Sequence, residues 1–221
     1  MFARLLSGVV LGIEARLIEI QCDVSGGLPT FNVVGLPEKE VSESRERIRS
    51  AIKNSGFRFP AGRITANLAP ADLRKEGVGF DLPIAIAILM ATGQVTQITE
   101  KYLLLGELAL NGEVRGVRGV LPIALESSSK IDGLIVPQDN AREAAIATDK
   151  PVYPVQTLAE AQRFLSRELE IKPVSIDRDA LCSEERSTFL HDLAEVRGQR
   201  QAKRALEIAA AGGHNLLRLW T

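Results

Sequence analysis

Residues Leu82–Thr92 carry apolar side chains on every side of a helix: Ile84, Ala85, Ile86, Ala87, Ile88, Leu89 and Met90 follow one another without a polar interruption. No face of such a helix tolerates water, so other elements must enclose it. Asp81 is placed to cap it, Pro83 fits its first turn, and Gly93 follows its end. No apolar run in the chain reaches the roughly 18 residues that a membrane span requires. The chain must therefore build a layered core around this helix. Its 221 residues suffice for one domain, or one plus part of a second.

The surrounding pattern supplies the layers. Ile13, Ala15 and Leu17 alternate with Glu14 and Arg16; then the parity shifts, and Ile18, Ile20, Cys22 and Val24 alternate with Glu19, Gln21 and Asp23. A one-residue shift turns every side chain over, so two strands with a bulge or strong bend near Leu17–Ile18 are expected. Phe31–Val34 reads as a third strand. A helix follows from about Glu38 to Ser55 with the apolar stripe Val41, Ile48, Ala51 and Ile52, and Gly56 stops it. Ile64, Ala66 and Leu68 mark a fourth strand. Leu103–Leu110, Asn111-Gly112 and Glu113–Val117 predict a hairpin with a type I′ turn. Beyond it, helix and strand alternate: Val120–Ser128, Leu134–Pro137, Asp139–Ala147, Val152–Val155 and Leu158–Leu169. The expectation is a mixed α/β domain over residues 1–170, a linker over 171–191, and a new unit over 192–221 with a helix at Gln199–Ala211 and a strand starting at Asn215.

Charge and chemistry narrow the functions. Lys and Arg number 27 against 28 Asp and Glu, so no basic coat covers the whole molecule, although a local basic face remains open. Two distant cysteines, Cys22 and Cys182, exclude a disulfide scaffold and suit a reducing cytoplasm. His191 and His214 are isolated. Asp72, Glu76 and Asp81 read as a turn former, a solvated charge and a helix cap, so no metal site is expected. The basic residues are more informative. Arg45, Arg47, Arg49, Lys53, Arg58 and Arg63 share residues 42–63 with only Glu43 and Glu46; Arg74, Lys75, Arg115 and Arg118 lie in later loops. Arg45, Arg49, Lys53, Arg58, Arg63, Arg74, Lys75, Arg115 and Arg118 are the candidates for contact with nucleic-acid phosphates. The alternative is a solvated face with local pairs at Glu43–Arg47 and Glu46–Arg49. Phe57 and Phe59 flank Arg58 and read as core residues at a strand edge rather than as a stacking platform.

Three segments, "FNVVGLPEKEVSESRERIRSAIKNSGF", "ITANLAPADLRKEGVGFDLPIAIAIL" and "LLLGELALNGEVRGVRGVLP", make residues 1–170 resemble the N-terminal domain of the ComM/YifB family of bacterial Mg-chelatase-like AAA+ proteins. The resemblance implies a Lon-protease-like domain, a two-layer α/β fold of the ribosomal-protein type. "DLAEVRGQRQAKRALEIAAAGGHNLL", over residues 192–217, resembles the opening of that family's AAA+ module, where a Gly-rich Walker A loop would come next. Arg218-Leu219-Trp220-Thr221 stands in its place, so a truncated or frame-shifted member, or an N-terminal fragment, is expected.

By the same resemblance, the Lon nucleophile position falls on Gly79 and the Lon lysine position at or near Ser127. With no hydroxyl at Gly79 and no amine at Ser127, no peptidase activity is expected, and with Walker A absent as well, no enzyme activity of this chain is expected. Val196, Gly198 and Gln199 match the segment that lies beside the adenine, a nucleotide-binding remnant without a phosphate cradle. ATP and Mg²⁺ are thus expected only in full-length relatives, and no cofactor here. ComM members act as DNA helicases promoting branch migration in natural transformation. The resemblance therefore implies an accessory domain that assists DNA engagement or assembly of a hexameric ring of identical subunits. The alternative is an interaction scaffold that never touches DNA.

Overall fold

The computed structural model describes residues 1–75, 77, 79–96, 99–176 and 192–217. It forms two compact units, Met1–Ile176 and Asp177–Thr221. The first opens with β1 (Phe2–Leu11) and β2 (Glu14–Ser25), an antiparallel pair whose register runs unbroken from Phe2 opposite Asp23 to Leu11 opposite Glu14. The bulge expected near Leu17–Ile18 does not form. Ile18, Ile20, Cys22 and Val24 face one core, whereas Ala15 and half-buried Leu17 face a second core across the sheet. The strand keeps its pleat, and the side of the sheet that is covered changes beneath it.

Next in the chain come β3 (Thr30–Val34), α1 (Lys39–Asn54), β4 (Arg63–Ala69) and α2 (Asp81–Ala91). Then follow β5 (Tyr102–Leu104), β6 (Glu107–Leu108), β7 (Val114–Arg115), α3 (Val120–Ser127), β8 (Gly133–Pro137), α4 (Ala141–Ala147), β9 (Val152–Val155) and α5 (Leu158–Leu165). Seven strands form one sheet in the order β3-β4-β2-β1-β5-β8-β9. The β1–β2 and β2–β4 pairs are antiparallel; the other four are parallel. In the parallel half, successive residues are buried on opposite faces: Leu103 and Leu105 against Leu104, Leu134 and Val136 against Ile135. Strands covered on both sides read as continuous apolar runs for this reason.

Side chains of α1, α2 and α5 join the core on one face, and those of α3 and α4 the core on the other. The expected two-layer arrangement is therefore exceeded: this half has three layers. Over β3, β4 and the C-terminal part of β2, the second face is open, with Asn32, Val34, Arg63 and Asp23 exposed.

The expected long hairpin is divided. Tyr102–Leu104 belongs to the large sheet, and only β6 and β7 pair as a hairpin. Its turn is not type I′. Ala109 N–H donates to the Glu113 carbonyl (2.9 Å) and Gly112 N–H to the Ala109 carbonyl (3.0 Å), and Gly112 alone has positive φ, at 89°. This is a three-residue loop ending in a left-handed glycine. The first unit also extends past residue 170. Val174 N–H donates to the Val152 carbonyl at 2.9 Å, and Ile171, Val174 and Ile176 are partly buried. Residues 171–176 are thus part of this unit, and the rest of the expected linker, 177–191, lies outside the described residues. In the second unit α6 spans Arg200–Gly212, with no buried residue. Residues 215–217 form no strand, having no neighbour to pair with among the described residues.

Every residue of α2 is buried, as its sequence requires. Asp81, however, does not cap it. Its side chain is 1% exposed and accepts hydrogen bonds from Arg47 Nε (2.9 Å), Arg47 Nη2 (3.3 Å) and the Leu108 N–H (3.3 Å). The bond to Asp81 raises the Arg47 pKa. At Asp81 burial outweighs both donors and pushes the carboxyl up to about 6. The folded state therefore holds the Asp81 proton more tightly than the unfolded state, and this site destabilises the fold as pH rises from about 4 to 6, fully above that. Asp81→Asn keeps one acceptor oxygen, enough for Arg47 Nε and the Leu108 N–H, and removes the second acceptor and the charge. At pH 7 it should match or exceed the wild type in urea denaturation, by at most about 3 kcal/mol, with the difference shrinking toward pH 5. A difference that widens on acidification would show that Arg47 outweighs burial.

Candidate nucleic-acid interface

Helix α1 separates its charges by face. Val41, Ile48, Ala51 and Ile52 are buried, and Ser44 is buried with its hydroxyl donating to the Val41 carbonyl at 2.7 Å. Arg47 projects toward α2 and bonds Asp81, a partner distant in sequence, while Glu43 is among the carboxylates that raise its pKa. Arg45, Arg49 and Lys53 are exposed. Their spacing of four residues puts them on one ridge, with roughly 6 Å of axial rise between successive cations. No ion pair to Arg49 or Lys53 occurs among the described residues. The expected Glu46–Arg49 pair is replaced by an aromatic contact: the Arg49 guanidinium carbon lies 5.6 Å from the centroid of the Phe59 ring.

This ridge borders a groove of about 510 Å³ at the open edge of β3. Arg45, Arg49, Lys53 and Glu46 form one side, Phe31 and Phe59 line it, and Pro29, Pro60 and Gly62 contribute to the opposite wall. The Phe31 and Phe59 rings are half-buried, 6.1 Å apart and tilted by 55°. Arg45 Nη1 donates to the Phe31 carbonyl at 3.2 Å, tying the ridge to the edge strand. Gly62 is required here because a β-carbon would collide with the Ser25 carbonyl. Phe59 is therefore both a core-edge residue, as expected, and part of the groove; Phe57 is half-buried against the core.

The other candidates are dispersed. Arg58 is exposed beside the groove wall, its backbone N–H and carbonyl both bonded to Gln94 at 2.8 Å. Arg63 begins β4 on the open sheet face. Arg74 approaches Glu38 at 3.9 Å. Arg115 is on β7, and Arg118 lines a separate pocket of about 290 Å³. Lys75 must be withdrawn as a phosphate ligand. It is fully buried, and its ammonium donates to the carbonyls of Pro70 and, at 2.7 Å, Leu73. The loop folds around the cation, and no part of it faces solvent.

The pocket beside Arg118 also contains Gly77, Gly79, Gly8 and Gly116. A β-carbon on Gly79 would meet nothing nearer than 3.9 Å, so a side chain would fit where the glycine leaves none. Ser127 is buried, and its hydroxyl donates to the Ala124 carbonyl at 3.3 Å. Burial raises the Cys22 thiol to about 12, so it is no nucleophile. No group of three or more potential metal ligands occurs among the described residues. In the second unit Val196, Gly198 and Gln199 are all exposed and offer neither a cationic side chain for phosphate nor a carboxylate for a metal. They do not fit an ATP–Mg²⁺ site by themselves. His191 and Glu76 lie outside the described residues.

The architecture is that of a mixed α/β unit bearing a cationic groove at one sheet edge, and comparison with known proteins identifies its family. Residues 20–140 match the family described as subunit ChlI of Mg-chelatase, and residues 192–219 match magnesium chelatase, subunit ChlI. The competence protein ComM of Haemophilus influenzae is 45% identical over 210 residues, covering 94% of this chain and 41% of that protein. The YifB protein of Salmonella typhimurium is 46% identical over 209 residues, covering 94% and 40%. That of Escherichia coli is 45% identical over 211 residues, covering 94% and 40%. The chain belongs to the Mg-chelatase-like family that includes ComM and YifB, and it spans about two fifths of the length of these relatives. No helix among the described residues is long and apolar enough to cross a membrane.

The opposite placements of two neighbouring cations give a test. Lys75→Met leaves two buried carbonyls without their donor and should cost about 1–3 kcal/mol in urea denaturation. Arg74→Met should stay within about 0.5 kcal/mol of the wild type. Equal, small effects would show that Lys75 is not held inside.

Proposed function

We propose that the Met1–Ile176 unit is the nucleic-acid-engaging accessory domain of a Mg-chelatase-like AAA+ ATPase, with no catalytic activity of its own. The observation that carries this reading is the ridge of Arg45, Arg49 and Lys53, exposed together along α1 while Arg47 is drawn inward. Cations fixed at regular spacing on a rigid helix favour contact with a phosphate backbone without selecting sequence. The name of the relative ComM, a competence protein, supports a DNA partner. The empty position at Gly79 supports catalytic inactivity of a Lon-like fold. We assign ATP and Mg²⁺ to the portion of the longer relatives that this chain does not span.

A second reading, a scaffold that sets the geometry of a ring of identical subunits, has its own observation. Leu121 and Leu125, one turn apart on α3, and Ile146 on α4 are exposed apolar residues. The readings separate in solution. Under the first, fluorescence anisotropy should show weak, sequence-independent DNA binding. Three phosphate contacts predict that its affinity falls with salt at a log–log slope of about −3. Replacing Arg45, Arg49 and Lys53 together with Glu should abolish it and leave the thermal midpoint within a few degrees, since exposed charges cost little stability. Binding absent at about 50 mM salt, or untouched by the triple change, would favour the scaffold.

A further inference from the structure

The groove contains more than charge, and we propose that it accepts an unstacked base, so that its ligand is single-stranded nucleic acid in preference to duplex. This inference rests on the reading of α1 as a phosphate-binding ridge. Two aromatic rings in one recess with three cations offer both components of single-strand recognition: a charged track for the backbone and a π surface for the base. Phe31 and Phe59 are only half-buried, so each ring keeps part of its surface toward the groove. The Arg49 guanidinium already lies over Phe59 and extends that surface, since a planar guanidinium stacks on a base as it does on a ring. Arg45 is held at the groove mouth by its bond to the Phe31 carbonyl. The volume of about 510 Å³ is that of a small-ligand site, enough for a base and its sugar. A duplex keeps its bases paired inside and can present only phosphates to the outer ridge. Glu46 is the one carboxylate in the lining and opposes an approaching phosphate, so it limits affinity.

The test is anisotropy with three labelled probes at one salt concentration. These are a dT tract of about 16 nucleotides, a duplex of the same length, and an abasic strand with the same number of phosphates. The dT tract should bind about tenfold more tightly than either of the others, the range that one stacked base produces. Phe31→Leu and Phe59→Leu should each remove most of that advantage while duplex affinity and the salt slope persist. Glu46→Gln should strengthen binding to all three probes several-fold. Equal binding of the dT and abasic strands overturns the base-binding groove even if the leucine variants fail to fold, because that comparison uses the wild-type chain. In that case duplex binding would leave the phosphate ridge standing. Failure of all three probes to bind overturns both.

Discussion

Enclosure of α2 is the constraint from which the rest of the unit follows. A helix with eleven consecutive buried residues needs apolar neighbours on all sides. The sheet lies on one side, with α1 and α5 packed around the others. The first turn of this helix carries a carboxylate, and Arg47 of α1 reaches it. The buried stripe of Val41, Ile48, Ala51 and Ile52 sets the rotation of α1 about its own axis, and the Arg47–Asp81 pair is consistent with it. With Arg47 and the Val41, Ile48 and Ile52 stripe directed inward, Arg45, Arg49 and Lys53 face outward. The cationic ridge is the geometric complement of the buried contact.

Much of the fold was readable because it depends on local pattern. The apolar stripe of α1, the all-apolar α2 and the alternation in β4 are consequences of burial within one element, and each appears where its period places it. What escaped reading depended on partners distant in sequence. The parity shift in β2 looked like a bulge, because a single strand cannot reveal that its N-terminal part is covered by α3 and its C-terminal part by α2. Asp81 had the position of a helix cap, and only Arg47, 34 residues earlier, redirects it. Lys75 looked like an exposed loop cation, but the backbone carbonyls that enclose it carry no signal in side-chain identity.

The candidate site divides in the same way. The four-residue spacing of Arg45, Arg49 and Lys53 was visible in sequence, although mixed there with six further cations that the fold disperses. The groove was not visible, since Phe31, Arg49, Phe59 and Gly62 come from an edge strand, a helix and the loop that leads from that helix to β4. The parallel pairing of β3 with β4 brings these segments together. The edge position of β3 keeps the groove open, because a further strand paired to it would close it.

One helix face, rather than general surface charge, is proposed to meet the ligand. Chemical footprinting of lysines and arginines by mass spectrometry, with and without a saturating dT strand, tests it most directly. Slowed modification is expected at Arg45, Arg49 and Lys53, with Arg74, Arg115 and the exposed Lys101 and Lys130, all outside the groove, unchanged and the buried Lys75 unreactive in both states. Uniform protection of every exposed cation, or protection confined to Arg115 and Arg118, would contradict it.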